Sequence, residues 1–118
     1  KVGKIQKISI EKESVMGGMS CDEVSLVPWE ILKNSVNHCV TVSDDFIANT
    51  VKSLARCEFS NEKIIGGECS TPGIISLIGL SEDSKIKKKI NLNENSNVLL
   101  FGCEGDADEE LYQKLLNS

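Results

Sequence analysis

Three polar loops carry the side chains that could do chemistry in this chain. They are residues 16–23 (MGGMSCDE), 66–71 (GGECST) and 102–106 (GCEGD), and each contains glycine. In the GCEGD loop, backbone N–H groups and the start of the following helix could face a polar or anionic ligand. A glycine turn between a strand and a helix is also common without any ligand, so both interpretations stay open.

The other two loops also have both a functional and a structural interpretation. Glu68 and Cys69 stand just before a predicted buried helix, where they belong either to a ligand site or to a tight turn with a satisfied cap. In the MGGMSCDE loop, Met16 and Met19 flank a pair of glycines. That pattern suits a mobile lid or a substrate-side loop as well as a plain connector.

Familiar catalytic and metal-binding motifs are missing from the sequence. There is no G-x-G-x-x-G, no P-loop and no G-x-S-x-G nucleophile elbow. His38 is the only histidine, and its neighbour Cys39 would point to the opposite face of a strand, which disfavours a dyad. The five cysteines form no C-x-x-C pair. We therefore predict no metal site.

Cysteine usage and charge limit the compartment and the partners. An odd number of widely spaced cysteines suits a reducing compartment, so we predict a cytoplasmic protein in which Cys39 and Cys57 are buried thiols. A net charge of −5 repels nucleic-acid backbones, and the basic run 85–89 is typical of a solvated helix face. The longest apolar runs fall far short of the ~20 residues that span a membrane, and no secretory leader is visible. We expect neither nucleic acid nor membrane as a partner.

The elements that must position the loops alternate between strands and helices. Strands are predicted near 5–10, 38–42 and 97–101, and helices follow Pro28, Ser43 or Asp44, Thr71, the serine at 81, and Asp106 or Asp108. The clearest helix places Ile47, Val51, Leu54 and Ala55 on one face, whereas the helix through 80 is apolar all round and belongs in an interior. This order predicts a single α/β domain over 1–118, with a three-layer-type open, mostly parallel sheet and flanking helices.

Three stretches of the chain together resemble one enzyme family. They are residues 13–55, which contain the MGGMSCDE loop, then 64–80 (IIGGECSTPGIISLIGL), then 95–116, which contain NVLLFGCEGDAD. In this order they resemble the C-terminal part of diaminopropionate ammonia-lyases, which are pyridoxal-phosphate enzymes of the tryptophan-synthase-β-like fold type II group. The resemblance runs from about Ile5 to the end of the sequence. It implies that the chain is part of the large domain of such an enzyme.

The resemblance implies a reaction and a set of supporting residues. The reaction is the elimination of both amino groups of 2,3-diaminopropionate, which yields pyruvate and ammonia with pyridoxal 5′-phosphate as electron sink. By position in the family's motifs, Glu68, Gly102 and Cys103 lie on the cofactor side, with Cys103 and Gly102 where the family usually has a hydroxyl. Gly17, Gly18, Cys21 and Asp22 correspond to the loop that borders the amino-acid substrate. Asp106 corresponds to the aspartate of a Gly-Asp turn, where we expect it to act as a helix cap.

The resemblance also implies that the catalytic machinery lies elsewhere. The family's Schiff-base lysine and phosphate loop lie upstream of the matched part, and none of the lysines here stands in a recognisable cofactor motif. We therefore expect a C-terminal fragment with no catalytic residue of its own, inactive alone and without covalently bound cofactor. An exposed apolar face would make it a homodimer or a self-associating fragment. The alternatives are a relative of threonine or serine dehydratases or of threonine synthases, and a non-catalytic degenerate module.

Overall fold

A computed structural model describes residues 4–118 of the chain, and its regular elements are all helical. Two units make up the chain, the first over Lys1–Thr41 and the second over Val42–Ser118. The five α-helices in this part of the chain are α1 (Leu26–Ser35), α2 (Ile47–Ala55), α3 (Pro72–Glu82), α4 (Ser84–Lys89) and α5 (Glu109–Asn117). Short 3-10 helices cover Gly17–Met19, Asp44–Phe46 and Glu68–Ser70. That the chain forms one domain remains a prediction.

The first unit combines α1 with the MGGMSCDE loop. Helix α1 confirms the helix expected after Pro28, although it begins two residues earlier, at Leu26. The loop turns through the 3-10 helix, and Met16, which directly precedes it, is buried. Its far end is tied to the preceding segment, because the Ile8 N–H donates to the Asp22 carbonyl at 2.9 Å and Lys7 forms a 2.9 Å ion pair with Asp22.

The second unit has its core where α2 packs against α5. As predicted, the apolar face of α2 is buried through Ile47, Val51 and Leu54, while Ala55 is half-buried. The hydroxyl of Ser43 accepts a hydrogen bond from the Asp45 N–H and so caps the turn that leads into α2. Tyr112 and Leu115 are the buried residues of α5. Burying an apolar side chain of this size stabilises a fold by about 1.5–3 kcal/mol. These five side chains therefore supply most of the hydrophobic stabilisation of the unit.

Helix α3 begins as predicted and then departs from its expected environment. Pro72 stands at the first helical position, where its missing N–H costs nothing. The expectation that this apolar helix lies in an interior is wrong, because none of its residues is buried. Among the helices, its main contacts are with α2 and α4. Helix α4 confirms the predicted surface helix, with the Asp83 carboxylate accepting hydrogen bonds from the N–H groups of Lys85 and Ile86.

The predicted open, mostly parallel sheet is wrong for the described residues, which contain no strand. Residues 5–10, 38–42 and 98–101 are irregular instead, and most of their side chains are exposed. The physical reason is that strand propensity reflects packing against neighbouring strands more than an intrinsic backbone preference. Without an adjacent strand to complete the ladder, an apolar β-branched run has no hydrogen-bond partners that would hold it in a sheet.

The predicted burial of Cys39 and Cys57 is also wrong. Cys39 and Cys57 are exposed, and the buried thiol is Cys69, which precedes α3. Cys57 follows α2 in a left-handed conformation, with φ of 62°. The apolar neighbours that suggested burial for Cys39 are themselves exposed, since Val40 keeps 49% of its surface. No helix of the described residues is long and apolar enough to cross a membrane.

Candidate functional site

The GGECST and GCEGD loops of the second unit meet along their backbones. The Gly67 N–H donates to the Glu104 carbonyl at 3.1 Å. The Ser70 hydroxyl also donates to that carbonyl and accepts a 3.0 Å hydrogen bond from the Glu104 N–H. One serine therefore binds both polar backbone groups of Glu104, which holds the two loops in a fixed register.

Gly67 is required by the closeness of this approach. A Cβ atom added there would overlap the carbonyl oxygen of Gly105, closer than real Cβ contacts come. The backbone conformation of Gly67 itself is ordinary for any residue, with φ of −71°. The glycine is therefore explained by space and not by conformational freedom.

Two carboxylates and a thiol converge where the loops meet. The carboxylate oxygens of Glu68 and Glu104 and the sulfur of Cys69 all lie within 4.8 Å of one another. Glu68 and Cys69 are buried, and the Cys69 N–H donates to the Glu104 carboxylate at 3.2 Å. These groups form the candidate site, and their donor set can bind a proton or contact a cation or a polar ligand.

Glu68 is the group in this site whose protonation the surroundings change. Burial raises the pKa of its carboxyl above the ordinary value of 4.5, because the charged form is removed from water. A backbone hydrogen bond at Glu68 opposes that rise in pKa, whereas the charges of Glu104 and Asp108 add to it. A carboxyl in this setting keeps its proton to a higher pH than an exposed glutamate does, and it can hand that proton to a neighbouring acceptor.

The structure brings together the residues predicted for the cofactor side. The Cys103 thiol donates to the Cys69 carbonyl at 3.3 Å, in the residue next to Glu68. Gly102 lies against Ser70, because a Cβ added to Gly102 would stand 3.4 Å from the Ser70 hydroxyl oxygen. Glu68, Gly102 and Cys103 therefore belong to one small region, which their separation in sequence does not reveal.

The residues predicted for the substrate side lie in the first unit. Cys21 and Asp22 line an open groove of about 730 Å³, together with Lys7, Glu13 and Glu23. Gly17 and Gly18 lie in the exposed 3-10 turn of the same loop and are not part of the groove lining.

Two residues of the candidate site were not predicted from the sequence, and one predicted cap is misplaced. Ser70 and Glu104 make the contacts that join the loops, yet each looks like an ordinary loop residue in the sequence. Their only signal is membership of the two singled-out loops. The cap of α5 is Asp108, whose carboxylate accepts from the Leu111 N–H at 2.9 Å. This confirms one of the two candidates for that cap, and Asp106 does not fill it.

Comparisons with known proteins identify one kind of relative. No family model matches the chain, and no solved structure matches it. The diaminopropionate ammonia-lyase of Escherichia coli strain K12 is 26% identical over 117 residues, which cover 97% of this chain and 29% of that enzyme. The diaminopropionate ammonia-lyase of Salmonella typhimurium is 21% identical over 118 residues, with the same shares covered.

The matches cover nearly all of this chain but only part of each relative. They leave only a few per cent of this chain unmatched, so both loops of the candidate site fall within them. The chain spans less than a third of the length of the curated relatives it matches. Over nearly its whole length, this chain is thus related to the diaminopropionate ammonia-lyases.

Proposed function

We propose that this chain is one part of a pyridoxal-phosphate-dependent diaminopropionate ammonia-lyase, which converts 2,3-diaminopropionate to pyruvate and ammonia. The observation that carries the proposal is the similarity to such enzymes over 97% of the chain. The meeting of the GGECST and GCEGD loops supports it further, because the residues assigned to the cofactor side are neighbours in space.

The candidate site has a donor set that fits the ring of pyridoxal phosphate. When bound, this cofactor supplies an electron sink that eases bond breaking at the α-carbon of an amino acid. Glu68 would lie beside the ring, where its raised pKa makes the carboxyl easier to protonate than that of an exposed glutamate. Cys103 would lie toward the ring nitrogen, and its S–H, a weaker donor than the hydroxyl usual in the family, would leave the Cys69 carbonyl to reach the ring.

In the first unit, the groove beside Cys21 and Asp22 would border the substrate. Its lining carries three acidic side chains, Glu13, Asp22 and Glu23, against the single cation of Lys7. A substrate with two amino groups presents two positive charges, which an acidic lining attracts more strongly than a single one. Gly17 and Gly18 would shape the turn that leads into this lining.

The chain by itself would be inactive. None of its lysines stands in a motif of the kind that holds this cofactor covalently, so the catalytic lysine would come from another part of the enzyme. We further propose a cytoplasmic enzyme, since none of the five cysteines forms a disulfide within the described residues and reduced thiols suit that compartment. Its partners would be a small amino-acid substrate and a further copy of the enzyme.

The proposal is tested on the full product of the reading frame that encodes this chain. The purified product should show the visible absorbance of a lysine-bound pyridoxal phosphate and release ammonia and pyruvate from 2,3-diaminopropionate. Serine and threonine serve as competing substrates, because preferred turnover of either would assign a dehydratase instead. A product without cofactor absorbance and without turnover of any of the three would contradict the proposal.

A matched pair of variants tests the cofactor-side assignment in the same product. Cys103→Ser puts a hydroxyl at the position where the family usually has one, and it should shift the cofactor absorbance while preserving turnover. Cys39→Ser changes another exposed thiol, in the first unit, and should leave the spectrum unchanged. Identical spectra for both variants would remove Cys103 from the cofactor side.

A further inference from the structure

Ser70 lies where the two loops of the candidate site meet. It is buried, with 9% of its surface exposed. It ends the 3-10 turn Glu68–Ser70, so it directly follows Glu68 and Cys69 in the GGECST loop. The contacts of this one side chain therefore affect how the GCEGD loop lies against the residues assigned to the cofactor side.

Ser70 contacts the residues on both sides of Cys103. Its hydroxyl donates to the Glu104 carbonyl and accepts a 3.0 Å hydrogen bond from the Glu104 N–H. A Cβ atom on Gly102 would stand 3.4 Å from the Ser70 hydroxyl oxygen and 3.5 Å from the Ser70 Cβ. Because Cys103 stands between these two contacts, Ser70 restricts the Cys103 backbone from either side.

The Cys103 thiol points at the loop that carries Ser70. Its S–H donates to the Cys69 carbonyl at 3.3 Å, and Cys69 directly precedes Ser70. Two hydrogen bonds from the serine hydroxyl and one from the thiol thus join the same short stretches of backbone. A shift of Glu104 relative to Ser70 would carry the thiol away from its present place.

Two other hydrogen bonds join the loops, and neither of them holds the Glu104 N–H. The Gly67 N–H donates to the Glu104 carbonyl at 3.1 Å and so shares its acceptor with Ser70. The Cys69 N–H donates to the Glu104 carboxylate at 3.2 Å, at the end of a side chain that can rotate about several bonds. The Ser70 hydroxyl fixes the Glu104 backbone more firmly, because it binds both of its polar groups.

We infer that Ser70 is a positioning residue for the lyase reaction, which holds Gly102 and Glu104 and thereby sets where the Cys103 thiol lies on the cofactor side. This rests on the proposed function. Ser70 acts through Cys103 and does not itself contact the cofactor or the substrate. A hydroxyl suits this role because one oxygen both donates and accepts, which alanine cannot do.

Substitutions at Ser70 in the full product of the reading frame test the inference on the bound cofactor. Ser70→Ala should shift the cofactor absorbance and lower kcat for 2,3-diaminopropionate by about tenfold, with a smaller change in KM, because it misplaces a cofactor-side group. Ser70→Thr keeps the hydroxyl and should restore kcat to within about threefold of the native value. A native spectrum and a native kcat in Ser70→Ala would overturn the inference.

The matched control is a buried hydroxyl of the same unit that lies outside both loops. Thr50 is 6% exposed, and its hydroxyl donates to the Phe46 carbonyl at 2.8 Å. Thr50→Val removes a hydrogen bond of the same kind and should leave the spectrum unchanged and kcat within about twofold of native. Equal losses of kcat in Ser70→Ala and Thr50→Val would indicate a general loss of stability and would overturn the positioning role.

A double substitution tests whether Ser70 acts through Cys103. Cys103→Ser alone should shift the cofactor absorbance. In the Ser70→Ala background the residue at 103 is no longer held in place, so Cys103→Ser should add less than about half of that shift. A full additional shift would show that the two residues act independently and would contradict the inference, as would the absence of any shift in Cys103→Ser alone.

Hydrogen–deuterium exchange of the full product after removal of the cofactor separates this inference from the proposed function. It reports the hydrogen bond from the Gly67 N–H to the Glu104 carbonyl, whose two groups are not themselves substituted. The Gly67 amide should exchange at least about tenfold faster in Ser70→Ala and at the native rate in Thr50→Val. Faster exchange in a product that never shows cofactor absorbance or turnover would keep Ser70 as the residue that aligns the loops and reject the proposed function. Turnover with unchanged exchange would do the reverse.

Discussion

Helix α2 carries polar residues on one side and buries the other, whereas α3 is apolar around nearly its whole circumference and buries no residue. The two helices differ little in length, and they contact each other in the same unit. They differ in the number of large aliphatic side chains, three in α2 and five in α3, and in how these side chains are spaced. The apolar stripe of α2 is buried where it packs against α5, whereas the apolar side chains of α3 are half-buried or exposed.

The largest expected effect comes from the same substitution made in both helices. Ile47→Ala removes a side chain with no exposed surface and should lower the free energy of unfolding by about 3 kcal/mol. Ile78→Ala removes a side chain that is 41% exposed and should change it by about 0.5 kcal/mol or less. Urea unfolding followed by helical circular dichroism measures both. Similar losses for the two variants would break the comparison, because α3 would then be as well covered as α2.

A pair of glycines sharpens the comparison in the loop before α3 and in α3 itself. Gly67→Ala should destabilise the chain by about 2 kcal/mol, since the new methyl group overlaps the Gly105 carbonyl and must push the loops apart. Gly79→Ala should stabilise it by about 0.5–1 kcal/mol, because alanine favours the helix and its Cβ meets nothing among the described residues. The same unfolding measurement applies, and a shared sign for the two changes would contradict this account.

Tyr112 tests whether the polar groups buried between α2 and α5 have hydrogen-bond partners. Its side chain is buried in α5, and its hydroxyl has no hydrogen-bond partner among the described residues. Tyr112→Phe should therefore raise the free energy of unfolding by about 1 kcal/mol, since it removes an unpaired buried polar group. Leu115→Met serves as a control of similar burial that keeps an apolar side chain. A loss of stability in the Tyr112→Phe variant would mean that the hydroxyl is paired after all.

Glu68 gives the smallest effect and the one that depends on pH. The pKa of Glu68 in the folded state is raised above 4.5. At lower pH the carboxyl is protonated and uncharged in both the folded and the unfolded state, so burying it carries no charge penalty there. Stability is lost as pH rises from the unfolded pKa through the folded one. The advantage of Glu68→Gln over the native chain should therefore grow between about pH 4 and pH 7, where urea unfolding is measured.

The control for this pH dependence is a glutamate on the surface. Glu62→Gln changes an exposed carboxylate outside the candidate site, and it should show no comparable growth over the same pH range. An advantage of Glu68→Gln that is constant with pH, or that shrinks as pH rises, would contradict the raised pKa of Glu68.

The helices were predictable because local pattern determines them. The four-residue spacing of Ile47 and Val51, the Thr71–Pro72 pair and the capping Asp108 each act within a turn or two of their own position. Residues 38–42 and 98–101 have the composition of strands, but a strand depends on partners that composition does not specify. The predicted sheet failed for that reason, and the predicted burial of Cys39 failed with it.

The two loops of the candidate site could be predicted from the sequence, but the contacts that bring them together could not. The sequence singles out both loops by their glycines, and Glu68, Gly102 and Cys103 follow from family resemblance. The contacts that join the loops come from Ser70 and Glu104, which are 34 residues apart. A contact at that distance depends on the path of α3 and α4 between the loops, which no local pattern encodes.

The packing of α2 against α5 also affects how the candidate site forms during folding. Closing a loop of 34 residues between Ser70 and Glu104 would by itself cost conformational entropy, which the hydrogen bonds between the two loops would have to offset. The GGECST loop follows α2 and the GCEGD loop precedes α5, so docking the two helices already brings the ends of the loops into the same neighbourhood. Most of that entropy is lost when the core forms. We therefore expect the site to assemble after the two helices have docked and to be lost when they separate.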